Sequence, residues 1–537
     1  MKNIKGYLVL KRFLLILITI AVCTSCQDDF LEDKLLSDTS VDFLYSSPEG
    51  LESAVVGLYS LNRGIYENNN FNGAIPLVLQ GKNDLSVGIT GEVSLFSRLL
   101  WGASLGDAGT ALIYNPYWET YYRIIDRSNA IIKGAENLTD VDEDRRNQIL
   151  AEAKAMRANS YFILYRLFNN IFITTEPTTP ENAFDVPQDK SSEEEIFALL
   201  RSDLDFAIEN LDPNPAEFGR WSEGAARHVR AKVAMWEEDY TEAAAQADAV
   251  INSGNHSLVA TEQVFADDLN HSETLFAVNF ELQTIGGGGP HIMNWSTVSS
   301  YADAPGLVQS VENGGAGVGF LSLNNYAIDL LNEDPNDERR DGTYYIFEYE
   351  YNDEATLPAG KEIGEPLDLY VNSETDQNEF MLYYRRQNPG VIKFLDATVE
   401  PTDRNHFKNV MVYRLAETYL IGAEAHMMLG NTAKGLEYLN AVRTRANTAE
   451  VSTLDLQAIL DERARELAFE GQRWYHLKRL GLLYDFLLDH MNNDNMNESY
   501  PEGNPKNILR EYMENWPIPQ QQIDLLGPNY PQNDGYN

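Results

Sequence analysis

Residues 102–106 match the Gly-x-Ser-x-Gly motif of a nucleophile elbow, the turn that presents a catalytic serine in acyl-transfer enzymes. They read Gly-Ala-Ser-Leu-Gly, and such a serine needs a buried strand before it and a helix directly after it. Here Asp107-Ala108-Gly109 follows, in a stretch rich in Asn, Gly and Ser. We therefore interpret residues 102–106 as a Gly/Ser loop.

Glu466 and Glu470 are a second candidate for chemistry. A glycosidase uses two carboxylates about 5–9.5 Å apart on opposite sides of a sugar, whereas these two lie on one predicted helix among arginines. Spacings of three residues favour ion pairs on the surface of that helix. The pairs at this spacing are Glu462 with Arg465, Arg463 with Glu466, and Glu470 with Arg473. The sequence predicts no catalytic residue.

The metal-ligating residue types are scattered. No His-Glu-x-x-His occurs, and no two of the eight histidines are four residues apart, which disfavours a zinc site on a helix. Asp334, Asn336 and Glu338 have the alternation of a calcium loop, but Arg339 stands where the sharp turn needs glycine. We predict no metal site and no cofactor.

Sugar binding is the chemistry that the loops favour. A sugar ring offers an apolar C–H face and a rim of hydroxyl groups, so its site needs exposed aromatic faces with charged or amide groups at the edge. Aromatic and polar residues outside the helical stripes are the candidates. They are Asp84, Trp101, Trp295, Tyr301, Arg386 and Tyr413. The alternatives are that Trp101 is buried under its loop, that Tyr413 belongs to the core and that Arg386 pairs with an acid.

Helical periodicity dominates the elements that would position these residues. Apolar residues three and four apart predict the helices. Their ranges are 48–62, 116–138, 144–168, 192–211, 222–237, 241–253, 414–429, 432–446 and 454–480. Residues 222–253 and 414–446 resemble tetratricopeptide-like hairpins, which must stack to bury their faces. With two earlier, less regular pairs, we expect about four hairpins.

Two stretches lack this periodicity. Residues 63–115 and 255–410 are rich in Gly, Asn, Asp and Tyr, which predicts loops with short strands, where a scaffold often carries its binding residues. The predicted fold is therefore mostly α, a hairpin scaffold with an irregular, loop-rich region. We expect residues 47–537 to form one domain.

The chain is strongly acidic. Its 537 residues carry a formal net charge of -41, which argues against a nucleic-acid partner, because phosphate binding needs clustered Lys and Arg. An acidic surface suits solubility, and it suits neutral cargo such as sugars.

The N-terminus has the pattern of a lipoprotein signal. Basic residues precede an apolar run at 13–22, which is shorter than the ~20 residues of a membrane span. Small residues then precede Cys26, as in a bacterial lipobox, although Cys23 replaces the usual Leu. We predict a signal peptide at 1–25, lipidation of Cys26 and an extended tether at 26–46; the alternative is an ordinary cleaved signal peptide. Asp28-Asp29 resembles a surface-export signal.

Several motifs, in order along nearly the whole chain, resemble the SusD/RagB family. They are Ala151-Glu152-Ala153 to Tyr161-Phe162, Asp337 to Arg340, Tyr413 to Ala425, Glu462 to Trp474, and Trp516-Pro517-Ile518-Pro519. Their residues follow helical stripes, so they identify the scaffold and do not assign a ligand site.

The resemblance implies an outer-membrane, cell-surface lipoprotein. Members of the family bind a nutrient, typically a glycan, and pair with a SusC-like TonB-dependent transporter. The ligand site of the family is built from variable loops, so the six candidates above rest on chemistry alone. The alternatives are the same fold with a peptide as cargo, a glycosidase, and a helical-repeat scaffold that binds only protein.

Overall fold

The helices of the computed structural model account for most of its regular structure. It describes residues 41–67, 75–88, 108–139, 141–282, 288–340, 342–368, 386–491 and 505–536. Within these residues the helices are α1 (Val41–Ser46), α2 (Pro48–Arg63), α3 (Ile75–Gly81), α4 (Ala108–Glu136), α5 (Glu143–Phe168), α6 (Glu193–Asn210), α7 (Glu223–Trp236), α8 (Tyr240–Ile251), α9 (Thr261–Val264), α10 (Met293–Thr297), α11 (Asn325–Asn332), α12 (Leu415–Met428), α13 (Thr432–Arg445), α14 (Leu456–Leu467), α15 (Arg473–Arg479), α16 (Leu483–His490), α17 (Pro505–Ile508) and α18 (Gln520–Leu526).

The strands are short and pair antiparallel, two at a time. They are β1 (Ser86–Gly88), β2 (Thr274–Val278), β3 (Leu321–Leu323), β4 (Tyr345–Ile346), β5 (Gly390–Val391) and β6 (Val410–Arg414). In the described part of the chain, β1 pairs with β3, β2 with β6 and β4 with β5. The mostly α class predicted from the sequence, with short strands in the loop-rich regions, is confirmed.

Local sequence explains where the long helices begin. Ser192 and Glu195 form a capping box at the start of α6, and the Ser222 hydroxyl accepts from the amide of Ala225 at the start of α7. At α2, the Ser47 hydroxyl accepts from Gly50 and Pro48 occupies the first turn. Each cap satisfies an amide that the helix itself leaves unpaired.

The long helices pack in series as four hairpins. The pairs are α2 with α4, α5 with α6, α7 with α8, and α12 with α13, and each pair packs on the next. Small residues allow the close approach: a Cβ at Gly422 of α12 would lie 2.8 Å from the Tyr438 ring of α13. The hairpin scaffold expected from the sequence is therefore present.

The long last helix predicted at 454–480 is broken in the structure. Helix α14 ends at Leu467 and α15 begins at Arg473, with Phe469 and Gly471 at positive φ between them. Buried cations satisfy the carbonyl groups that the break exposes. Lys393 Nζ donates to the carbonyl oxygens of Glu466 and Ala468, at 2.8 and 2.9 Å. Periodicity continued through the break, so the sequence did not reveal it.

Two predicted boundaries were also wrong. Residues 26–46 were expected to form a tether in an extended conformation, but Val41–Ser46 form the helix α1. Helix α4 begins at Ala108, inside the region expected to be loop-rich up to 115, and continues through Pro116. Pro116 is the ninth residue of α4, where a proline removes one amide hydrogen bond and crowds the carbonyl of the residue four positions earlier, so its sequence position suggested a helix start rather than a helix interior.

We call residues 255–410 the excursion. The two ends of the excursion lie side by side on the scaffold. Strand β2, near the start of the excursion, pairs with β6, which follows its end. Apolar residues of the excursion form a second core with α14, including Leu321, Tyr344 and Phe394 packed near Ala464. The scaffold therefore carries the excursion on its last helices.

A buried network of ion pairs joins the same elements. At its centre the Glu466 carboxylate of α14 is fully buried and accepts from arginines of the excursion, β6 and α13. These are Arg339, Arg414 and Arg445, which also reach Asp337, Glu462, Glu470 and Glu273. The predicted surface pairs were therefore mostly wrong. Only Glu462 with Arg465 forms, at 3.5 Å, because the other acids are paired across the fold.

The charge on Glu466 is maintained by its partners. Burial opposes its ionisation, but the charges of Arg445, Arg414 and Arg339 outweigh that cost and hold the pKa of Glu466 well below its usual value. A carboxylate of this kind stabilises the fold above its unfolded pKa of about 4.3, and the contribution is lost as the pH falls through the folded value.

No helix in the described stretches combines the length and the apolar composition needed to cross a bilayer.

We expect Glu466→Gln to lower the free energy of unfolding at pH 7 by about 3–5 kcal/mol, because it leaves buried arginines uncompensated. Urea denaturation measures this, with the exposed Glu437→Gln as a control that changes stability by less than about 0.5 kcal/mol. Below pH ~4.3 the wild-type protein should lose stability more steeply than Glu466→Gln. Equal stability of the two proteins at pH 7 would contradict the role given to the network.

Candidate functional site

A partly exposed tryptophan in the excursion is the clearest candidate for ligand contact. Trp295 is half-buried, although the four other residues of α10 are buried. The ring of Phe320 meets it edge to face, with centroids 5.1 Å apart. The guanidinium carbon of Arg404 lies 5.5 Å from the Trp295 ring centroid. We call these three side chains the platform.

Hydrogen bonds from the polar neighbours of Trp295 hold α10 in place. Asn294 donates to the carbonyl of Gly314 at 2.8 Å, and Thr297 donates to the carbonyl of Val391 at 2.8 Å. The amide of Val318 donates to the carbonyl of Trp295 itself, also at 2.8 Å. A ring whose backbone is anchored in this way loses little further conformational freedom when a ligand binds.

The glycine-rich segment before Phe320 passes very close to the residues after α10. A Cβ at Gly317 would lie 2.3 Å from the carbonyl oxygen of Ser299, so only glycine fits there. This close approach, with the Val318 hydrogen bond, brings Phe320 beside Trp295.

Arg404 reaches the platform from a turn near the end of the excursion. His291 and His406 form an antiparallel bridge through two backbone hydrogen bonds of 2.9 Å, which brings the segments of Trp295 and Arg404 together. Burial lowers the pKa of His291 to about 4, so its neutral ring donates to the carbonyl of Lys408 at 2.9 Å. Arg404 is exposed, and no ion pair holds it among the residues that the structure describes. It can therefore turn toward a ligand.

One further predicted residue, Arg386, lies near the platform. Arg386 is half-buried, and its carbonyl oxygen accepts from the hydroxyl of Ser299 at 3.2 Å, just beyond α10. Trp101 lies outside the described residues. The last described residue before it, Gly88, is paired with Leu321, the neighbour of Phe320. The chain therefore leaves β1 beside the platform.

Tyr301 was expected to offer its face to a ligand, and this expectation is wrong. The side chain is fully buried and stacks on Tyr349, with centroids 4.8 Å apart. Its hydroxyl donates to the carbonyl of Gly315 at 2.8 Å. Tyr301 instead anchors the glycine-rich segment 314–319 through this hydrogen bond.

The expected rim positions of Asp84 and Tyr413 are also wrong. Asp84 is fully buried, and its carboxylate accepts from Arg473 Nε at 2.9 Å and from Arg473 Nη2 at 2.6 Å. Tyr413 lies on β6, 3% exposed, and donates to Asn159 Oδ1 at 2.7 Å. Both residues belong to the interior that joins the excursion to the scaffold.

Phe320 and Arg404 were missed from the sequence. Phe320 directly follows residues 314–319, which include four glycines, and Arg404 lies in Pro-Thr-Asp-Arg-Asn. Turn composition predicts a loop in both cases, but nothing in it indicates which loop residue meets Trp295.

A cleft lies on another part of the molecule, beside β2. Its volume is about 370 Å³, and a pocket of about 190 Å³ continues it along α2. Residues 213–220 form one wall, and Asn255, His256 and His271 contribute polar groups. Thr274 to Ala277 of β2 line the cleft, and in the described chain β6 is the only strand that pairs with β2.

Within the same described stretches, no three His, Cys, Asp or Glu residues are grouped so as to hold a metal ion.

Comparison with known proteins agrees with the motifs. The model of the "SusD family" matches residues 236–536, and one described as "Starch-binding associating with outer membrane" matches residues 29–235. A SusD-like protein P25 from Formosa agariphila is 27% identical over 94% of each chain. The starch-binding protein SusD of Bacteroides thetaiotaomicron is 24% identical over 77% of this chain and 76% of its own.

Solved structures share the fold. A structure described as a laminarin binding SusD-like protein matches with a TM-score of 0.68 and 23% identity, over 91% of this chain and 99% of its own. Surface glycan-binding protein A from Bacteroides thetaiotaomicron matches with a TM-score of 0.69 and 19% identity, over 91% and 100%.

The buried position of Asp84 leads to a prediction about stability. Asp84→Asn should lower the free energy of unfolding by about 3–5 kcal/mol, because Arg473 would lose its buried countercharge. Urea denaturation checks this, with the exposed Asp144→Asn as a matched control that changes stability by less than about 0.5 kcal/mol. A stable Asp84→Asn protein would show that the ion pair is dispensable.

Proposed function

The chain belongs to the SusD family, and we propose that it is a cell-surface lipoprotein that binds a glycan at the Trp295 platform. In this proposal it delivers the oligo- or polysaccharide to a partner TonB-dependent transporter of the SusC type and catalyses no reaction. The outer membrane is its location, and a lipid on Cys26 is its anchor.

The observation that carries the proposal is the partly exposed Trp295 with the exposed Arg404 5.5 Å from its ring centroid, where no ion pair among the described residues holds the guanidinium. An indole face matches the apolar C–H face of a sugar ring, and a guanidinium donates charge-assisted hydrogen bonds to hydroxyl groups. Arg386, whose backbone is held by Ser299, is proposed as a further contact, and Trp101, which lies outside the described residues, stays a predicted contact.

The net charge of -41 favours neutral glycans over acidic ones. The names of relatives and of structures with this fold include starch, laminarin and glycan as ligands. Their diversity supports a glycan as the class of cargo.

Capture without cleavage is supported by the state of the acidic residues considered for catalysis. Glu466 is buried, and both Glu466 and Glu470 are held by arginine or lysine partners. A general acid needs a proton and access to the substrate, and Glu466 has neither.

A peptide is the second candidate cargo, and the cleft beside β2 favours it. Thr274 to Ala277 of β2 line the cleft, and one edge of β2 has no strand partner among the described residues. An extended peptide can add to such an edge through backbone hydrogen bonds. The glycan proposal places the ligand at the platform, and the peptide proposal places it in the cleft.

Tethering on a membrane would make modest affinity sufficient. A protein held beside its transporter acts at a high effective concentration, so a ligand that it releases is readily recaptured. Two acyl chains anchor a protein stably without any spanning helix.

Trp295→Ala should weaken binding of the cognate polysaccharide about tenfold, because it removes the stacking face. Affinity electrophoresis against a panel of neutral polysaccharides measures the loss, with Trp101→Ala and Arg404→Ala alongside. Phe184→Ala is the matched control, since Phe184 is 91% exposed elsewhere. If Trp295→Ala migrated like the wild-type protein on the polysaccharide that binds, the platform would not be the site. Sustained release of shorter saccharides would refute a purely binding role.

Cys26→Ala should move the protein from the membrane fraction to the soluble fraction, because the thioether-linked lipid has no other attachment point. Cys23→Ala is the control and should stay membrane-bound. Fractionation and metabolic labelling with a fatty acid measure both properties. Membrane retention of Cys26→Ala would contradict the proposed anchor.

A further inference from the structure

A small cationic pocket in the helical scaffold lies apart from the platform. Its volume is about 30 Å³, and its walls come from α5, α7, α12, α14, α15 and the residue directly before α15. Trp236 and Arg479 at its border are partly exposed, which gives it a path to solvent. The charged groups that line it are Arg166, Lys232, Arg463, Arg479, Glu417 and Glu424.

Arg166 is buried without a countercharge in the described part of the chain. It is 1% exposed, and no carboxylate among the described residues lies within ion-pair distance of it. Its guanidinium is stacked between the rings of Phe162 and Tyr475, at 4.0 and 3.8 Å from their centroids. Its Nε donates to the carbonyl of Phe162, but the buried Nη1 has no acceptor in the described chain.

Arg463 contributes a second unused donor. Its Nη2 donates to Glu417 at 3.1 Å, while its Nη1 is buried without an acceptor in that part of the chain. Leaving a buried charged donor unsatisfied costs more than an ordinary lost hydrogen bond. Both arginines line the same pocket, so an acceptor placed there would satisfy a donor of each.

The two carboxylates are already occupied. Glu417 accepts from Lys232 at 2.9 Å and from His228 at 3.1 Å, as well as from Arg463. Glu424 accepts from His476 at 2.9 Å and from Arg479. Four cations therefore face two carboxylates, which leaves an excess of two positive charges.

The histidines beside the pocket do not change this count. Burial, with the charge of Arg463, lowers the pKa of His476 to about 3, and burial lowers the pKa of His228. Both rings are neutral at neutral pH. Burial, with the charge of Arg166 among its causes, also lowers the pKa of Lys232 to about 8. The excess of positive charge is unusual in a chain whose net charge is -41.

We propose that this pocket binds one chloride ion, which accepts hydrogen bonds from Arg166 Nη1 and Arg463 Nη1. The volume suits a monatomic ion, because a single water needs about 10–15 Å³ measured in the same way. Water could fill the space, but it would leave the excess charge uncompensated. The ion would link the second, third and fourth hairpins to α14, and it is independent of the glycan site.

Bromide replaces chloride and can be located by its anomalous scattering. Crystals of the protein soaked in sodium bromide should show an anomalous peak within hydrogen-bond distance of both Nη1 atoms. A peak at that position supports the proposal. Ordered water without an anomalous signal at that position would overturn the proposal, even if bromide ions bind elsewhere on the protein surface.

Thermal unfolding gives a second test that needs no crystal. At equal ionic strength, the melting temperature should be about 1–2 °C higher in sodium chloride than in sodium gluconate, whose anion is too large for the pocket. The difference should vanish in Arg463→Gln and persist in the matched variant Arg227→Gln, whose arginine pairs on the helix surface. If Arg463→Gln fails to fold, the bromide map of the wild-type protein decides. Equal melting temperatures of the wild-type protein in the two salts would overturn the proposal.

Discussion

The ion pairs around Glu466 are the interaction on which the rest of the structure depends. One buried carboxylate receives arginines from three separate parts of the chain: the excursion, the strand that ends it, and the last hairpin. Desolvating so many charges is costly, and the cost is recovered only when every partner is in place. The network therefore specifies one arrangement of excursion and scaffold, and through it the position of the platform.

This arrangement explains why the motifs and the ligand site are different residues. Arg339, Arg414 and Glu466 belong to the stretches that identify the family, and all three are buried. Trp295 and Arg404 belong to segments of the excursion. The network holds the excursion in place but includes neither residue. A scaffold of this kind can keep the buried network that holds the excursion while the residues of its binding loops change.

The sequence predicted the scaffold well and the site poorly, for physical reasons. Helical periodicity and caps such as Ser192 and Ser222 are local signals, so the hairpins followed directly. Nothing local distinguishes Trp295 from Tyr301: both lie in the same aperiodic stretch, yet one ring is partly exposed and the other is fully buried. Exposure depends on segments more than 80 residues away, such as the one that bears Arg404. The break between α14 and α15 was missed because Lys393, which satisfies its carbonyl groups, is also remote in sequence.

The account's central claim is that a sugar ring rests on Trp295 while the cleft beside β2 stays free of ligand. The most direct measurement is a crystal structure of the protein with an oligosaccharide of the glycan it retains. We predict density for a ring stacked on the Trp295 indole, with a hydroxyl group within hydrogen-bond distance of Arg404. Density for the oligosaccharide in the cleft under residues 213–220, with the platform empty, would contradict the account.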